Sequence, residues 1–159
     1  DPEPPERGHM LPHVNISKQF AEPYKTFAAL DAQVEAAIEQ AELPVQLAEL
    51  VKIRVSQING CAFCLRMHTR DALAAGESTD RLAVLPAWWE SQYFTEREQA
   101  ALLLAERVTR IGDEHTAAPT QVDIEATLTD QQIAAVTWLV VVMNGWNRIA
   151  ITSHYPVGP

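Results

Sequence analysis

Leu47, Leu50, Val51, Arg54, Val55 and Ile58 recur at i, i+3, i+4, i+7, i+8 and i+11, and the pattern stops at Asn59-Gly60. That period is one face of an α-helix, and the Asn-Gly pair supplies a left-handed stop. The rest of the chain is punctuated in the same way. Pro23 stands near the start of a helix over residues 22–42, whose apolar side is Phe27, Leu30, Val34 and Ile38. A further helix runs over 61–75 and ends at Gly76; Ser78 can cap a short one over 80–85, after which Pro86 starts a turn or another short helix. Two segments have the form of capping boxes. Thr95-Glu96-Arg97-Glu98 leads into a helix that stops at Gly112, and Thr129-Asp130-Gln131-Gln132 opens an apolar helix over 133–151. Between 113 and 128 the one signal is Pro119, placed to begin an extra helical turn. No stretch reads convincingly as a strand. The chain is therefore all-α, with about six helices.

Its 159 residues, 47% of them hydrophobic, suffice for one buried core over residues 10–159. Residues 1–9 are polar and proline-rich, and Gly8-His9-Met10 resembles a cloning junction, so 1–9 are set aside as an expression-tag remnant or disordered tail. A formal charge of −9 argues against nucleic acid or an acidic membrane as partner, because a phosphate surface needs a basic one to displace its counterions. The apolar run over 133–143 falls short of the roughly 20 residues of a bilayer span. No basic flank and apolar run of a secretory signal is evident, which makes the expected compartment the cytoplasm.

Both cysteines lie in one stretch, Asn59-Gly60-Cys61-Ala62-Phe63-Cys64-Leu65-Arg66-Met67-His68. At about 100° per residue, Cys64 falls roughly 60° and His68 roughly 20° from Cys61 around a helix axis, so the three share a face. Two sulfurs on one turn can close into a disulfide, and an imidazole one turn away can exchange a proton. Together they describe a dithiol redox centre that needs neither a metal nor an organic cofactor. In a reducing compartment such a pair is more often catalytic or metal-binding than structural. Two plainer readings stand beside it: a pair of buried small hydrophobes, and a zinc site completed by His68 with His115, His154 or Glu49.

Glu49 lies opposite the Leu47, Leu50 and Val51 stripe, together with Ile53 and Ser56. Periodicity makes it a solvated surface glutamate unless an interface covers that face. Trp88, Trp89, Trp138 and Trp146 read as core or interface anchors rather than substrate contacts. Asn147 and Arg148 read as solvated groups or as partners for acidic residues of a neighbouring chain. The apolar 133–143 segment and Trp88-Trp89 exceed what a small helical domain covers alone, which points to a homo-oligomer.

The run Glu49-Leu50-Val51-Lys52-Ile53-Arg54-Val55-Ser56-Gln57-Ile58-Asn59-Gly60, followed by Cys61-Ala62-Phe63-Cys64 and His68-Thr69, resembles the core of the alkylhydroperoxidase D (AhpD-like) proteins of the carboxymuconolactone decarboxylase superfamily. Trp88-Trp89-Glu90-Ser91, Thr95-Glu96-Arg97-Glu98 with Ala100-Ala101-Leu102, and Trp146-Asn147-Arg148-Ile149 extend the likeness over most of the chain from about Met10. The resemblance implies an orthogonal helical domain, assembled as trimers or hexamers, that reduces organic hydroperoxides with its two cysteines. It implies recycling by a lipoyl-bearing or thioredoxin-like protein, and a proton relay of Glu49 and His68 acting on Cys61 and Cys64. One position departs: some members carry a second histidine just before the second cysteine, where this chain has Phe63.

Two arguments bear on which thiol attacks. A helix N-terminus favours a thiolate at Cys61. Proximity to His68, some 6 Å along the axis from Cys64 and over 10 Å from Cys61, favours Cys64. The family pattern agrees with proximity, which makes Cys64 the attacking and Cys61 the resolving sulfur. The expected activity is a thiol-dependent (alkyl hydro)peroxidase with an antioxidant role. The alternatives are a dithiol carrier or sensor without peroxidase activity and a lactone decarboxylase of the same superfamily; the cysteine pair speaks against the latter, whose chemistry uses no dithiol.

Overall fold

A computed structural model describes residues 11–113 and 118–159 of the chain. The segment 1–9 with the Gly8-His9-Met10 junction, and the candidate zinc ligand His115, lie outside the described residues. Among the described residues there is helix and no strand: α1 (Ile16–Gln19), α2 (Ala21–Gln40), α3 (Val45–Asn59), α4 (Ala62–Ala74), α5 (Thr79–Val84), α6 (Glu96–Thr109), α7 (Ile124–Thr127) and α8 (Asp130–Thr152), with a 3-10 segment at Leu85–Glu90. Six of these α-helices exceed one turn, which is the number the sequence suggests; α1 and α7 are single turns. The extra turn expected at Pro119 forms instead at Ile124, because Asp123 caps it by accepting from the Ala126 N–H.

Local chemistry accounts for most boundaries. Both capping boxes are closed reciprocally, Thr95 with Glu98 and Thr129 with Gln132. Gly60 ends α3 at φ +70°, and since no atom lies within 4 Å of a Cβ added there, it is the left-handed backbone and not crowding that calls for glycine. At Gly145 the reason is the opposite. A Cβ would run into the Phe27 ring, so glycine lets α2 and α8 approach closely.

α3 is the central element, packed by α4, α6 and α8. All its residues from Leu47 to Ser56 are buried, so the stripe seen in the sequence is only the most apolar side of a helix covered all round. α8 is long and apolar enough to cross a membrane by length and composition. Here Val136, Leu139, Val140 and Val142 are wholly buried against the neighbouring helices. Trp88 is a core residue, without exposure, its indole N–H donating to Glu106. Asn147, expected at the surface, is also fully buried: its amide donates to Ser56 Oγ and its carbonyl accepts from Asn59. Arg148 bonds to Asn144 on its own helix.

Candidate thiol redox site

The turn at Gly60 sets the site, because it delivers Cys61 to the start of α4. Cys61 stands one residue outside that helix as its N-cap, in extended backbone, and its Sγ accepts from the Cys64 N–H at 3.4 Å. Cys61 and Cys64 are joined as a disulfide, their Cα atoms 5.3 Å apart. Both residues are buried, but they differ in what they face. Cys64 lines a cavity of about 330 Å³, and Cys61 is not among its walls. Phe63, Met67, Met143 and Trp146 make that wall mostly apolar, with Tyr24 and Tyr155 beside them. Phe63, which stands where some relatives have histidine, is edge-on to Tyr155 at 5.1 Å between ring centroids.

His68 lies one turn beyond Cys64 on α4 and lines the same cavity. Its Nδ1 is 3.3 Å from Glu49 Oε2 on α3 and 3.5 Å from Asp71 Oδ2 on its own helix. Glu49 Oε2 and His68 Nδ1 are buried and lack a hydrogen bond of good geometry, so each has the other as its near but misaligned partner. The second oxygen of Glu49 accepts from Lys52 Nζ at 3.0 Å, and Lys52 reaches Glu35 Oε1 on α2 at 2.5 Å.

These contacts set the charge of the cluster. Burial works to raise the Glu49 carboxyl, but the His68 ring and the Lys52 ammonium together hold it below the usual carboxylate value. Burial likewise works to lower Lys52, but Glu35 and Glu49 hold its ammonium above the ordinary lysine value. Glu49 therefore faces the imidazole as an anion.

All four residues singled out in the sequence come together: the cysteines bonded, Cys64 and His68 on one cavity wall, and Glu49 behind His68. Periodicity was wrong about Glu49, which is only 6% exposed within a single chain, so no interface is needed to bury it. Metal-type ligands converge at Glu49, His68 and Asp71, without either cysteine, and His154 is stacked on His13 instead, so the cysteine-based zinc set is not assembled among the described residues. The residues missed are Lys52 and Glu35, and Trp146 as a cavity wall. Lys52 had a readable signal, its i, i+3 spacing from Glu49. Glu35 and Trp146 had none, since tertiary packing alone brings them in.

Comparison with known proteins adds three findings. The sequence model of the carboxymuconolactone decarboxylase family matches residues 22–107. The uncharacterized protein YdfG of Bacillus subtilis (strain 168) is 40% identical over 103 residues, which span 65% of this chain and 70% of that protein. A crystal structure from Agrobacterium tumefaciens, of a protein of unknown function suggested to be an antioxidant defence protein AhpD, superposes with a TM-score of 0.77 at 33% identity and covers 92% of this chain and 99% of its own.

Proposed function

The chain belongs to the carboxymuconolactone decarboxylase family, and from that premise we propose that it is a thiol-dependent hydroperoxide reductase with an antioxidant role, acting through Cys64, Cys61, His68 and Glu49. The observation that carries the reading is that Cys64 and His68 line one apolar cavity while His68 Nδ1 faces a buried carboxylate. The antioxidant suggestion attached to the Agrobacterium protein supports it.

In the reduced protein His68 takes the Cys64 proton through Nε2, the ring nitrogen turned away from Glu49, and Glu49 stabilises the imidazolium by accepting from Nδ1–H. The Cys64 thiolate attacks the distal oxygen of an organic hydroperoxide. The S–O bond forms as the O–O bond breaks, and the leaving alkoxide takes the proton back from His68 and departs as alcohol. Cys64 is then a sulfenic acid. The Cys61 thiol attacks its sulfur, forming the disulfide and releasing water. Two electrons and two protons from a dithiol protein, lipoyl-bearing or thioredoxin-like, restore both thiols. The apolar wall suits a substrate whose carbon body is apolar.

An alkyl hydroperoxide added in one equivalent removes two titratable thiols from reduced protein. Cys61→Ser reacts once and stops at a trappable sulfenic acid, whereas Cys64→Ser does not react. Unchanged thiols overturn the proposal and leave the carrier or sensor; a reactive Cys64→Ser exchanges the two roles.

We also propose a homo-oligomer, trimer or hexamer. Trp88 lends this no support, being buried in its own chain, but Trp138 and Val141 on α8 are 51% and 45% exposed and Phe20 is 73% exposed. Sedimentation at micromolar concentration shows an assembly; a species of single-chain mass rejects it.

A further inference from the structure

Glu49 and Lys52 stand one turn apart on α3, so their side chains share a flank of the helix. A buried carboxyl beside an imidazole is open to two failures: it can take up a proton, since burial favours the neutral acid, and it can present either oxygen to the ring. Lys52 acts on both. Its ammonium holds Oε1 at 3.0 Å, which leaves Oε2 to face His68 Nδ1, and its charge favours the carboxylate that accepts from Nδ1–H. A lysine stem alone is flexible. Glu35, reaching across from α2, fixes the ammonium from the other side.

We propose that Lys52, anchored by Glu35, is the positioning residue that presents ionised Glu49 to His68 and so selects the imidazole nitrogen left to serve Cys64. The proposal rests on the peroxidase reading for its kinetic consequence but not for its effect on the His68 ring. Besides Glu35 and Glu49, the charged or titratable groups facing this cluster are Asp31, Tyr24 and Glu39 from α2, His68, Asp71 and, in the reduced protein, Cys64 from α4, and Tyr155 from the segment after α8. All are unchanged in the variants that follow, apart from the residue replaced.

The test has two readouts. The rate at which tert-butyl hydroperoxide oxidises reduced protein is followed from pH 5 to 9 in the wild type, Lys52→Met, Lys52→Arg and Glu35→Gln, and the tautomer of His68 is read from its ring nitrogen-15 shifts in the same proteins. Lys52→Met loses about tenfold or more in rate at the acidic end and closes most of the gap at the alkaline end, where Glu49 ionises without help. Its His68 shifts move away from the Nδ1–H form. Lys52→Arg, which keeps the charge, restores both readouts, and Glu35→Gln moves both in the direction of Lys52→Met by less.

A purely structural lysine lowers the rate by one factor at every pH and leaves the tautomer alone, and that result overturns the proposal. A wild type inert to peroxide whose His68 tautomer still depends on Lys52 rejects the peroxidase reading and keeps the clamp. If Lys52→Met does not fold, Glu35→Gln decides, since its side chain is 42% exposed and its loss leaves α3 intact; unchanged readouts there reject the clamp.

Discussion

Two buried acid–base clusters sit on α3, and they are finished to different degrees. Arg54 Nε donates to Glu106 Oε1 at 2.7 Å, the Trp88 indole donates to the same oxygen at 2.9 Å, and Arg54 also reaches Gln57. One cationic and one neutral donor converge on one acceptor, and the arrangement ties α3 to α6 and the 3-10 segment. The other cluster is left short. Among the described residues, Glu49 Oε2 and His68 Nδ1 are the buried side-chain nitrogen and oxygen atoms without a well-formed hydrogen bond, and the ring that bears one of them reaches a cavity. A network closed by its own donors can only hold helices together, whereas one incomplete at an imidazole can pass a proton. The same helix thus carries a strut and a pair left open at an imidazole, and the difference lies in satisfied hydrogen bonds rather than in charge or burial.

The sharpest way to break that comparison is at the imidazole. His68→Ala lowers the peroxide reduction rate at neutral pH by roughly the 10²–10⁴-fold of a lost general base, and part of the loss returns at high pH as the thiol ionises unaided. Stopped-flow oxidation of the reduced protein measures it. A wild-type rate across pH 6 to 9 would make the unsatisfied pair an accident of packing and leave a dithiol without a relay.

Removing Arg54 tests the strut. Arg54→Met leaves Glu106 buried beside Trp88 alone, and taking one partner from a buried pair costs about 3–5 kcal/mol. Denaturant unfolding shows that loss, while the peroxide rate per folded molecule stays near that of the wild type. A rate that falls as far as it does in His68→Ala would show that the two clusters act as one unit.

What the sequence discloses follows the same division. Features fixed by a few adjacent residues were legible: both capping boxes, the stop at Gly60, and the helical face that carries Cys64 and His68. What depends on the surroundings of a helix was not. The hydrophobic period assumes one wet face, and α3 has none from Leu47 to Ser56, so Glu49 looks solvated although it is buried beside His68 of α4. Only the family resemblance paired it with His68, whose Nδ1 lies 3.3 Å from its Oε2. Trp88-Trp89 looked like an interface for the mirror reason, since nothing local shows that Glu106 on α6 will receive the Trp88 indole.

The smallest expected effect is on stability, and it asks whether Glu49 differs from a merely packed carboxylate. His68 and Lys52 hold the folded Glu49 carboxyl below its ordinary value of about 4.5. Above that pH the carboxylate is ionised in both folded and unfolded chains, and its contribution is fully present. As pH falls below it the unfolded chain takes up the proton first, and the contribution shrinks until the folded carboxyl is protonated as well. Lys52 runs the other way. Its folded value is raised above about 10.5, so what it adds is complete below that pH and is lost as pH rises through the folded value. What the ionisation of Glu49 and of Lys52 contributes to the difference in unfolding free energy between wild type and Glu49→Gln is therefore flat from about pH 5 to pH 9. It narrows on the acid side as Glu49 is neutralised and again at strongly alkaline pH as Lys52 loses its proton. Denaturant titrations at a series of pH values read this directly. A difference unchanged down to pH 3 would mean that the anion gains nothing from the imidazole and ammonium beside it, and the two sides of α3 would then differ in shape alone.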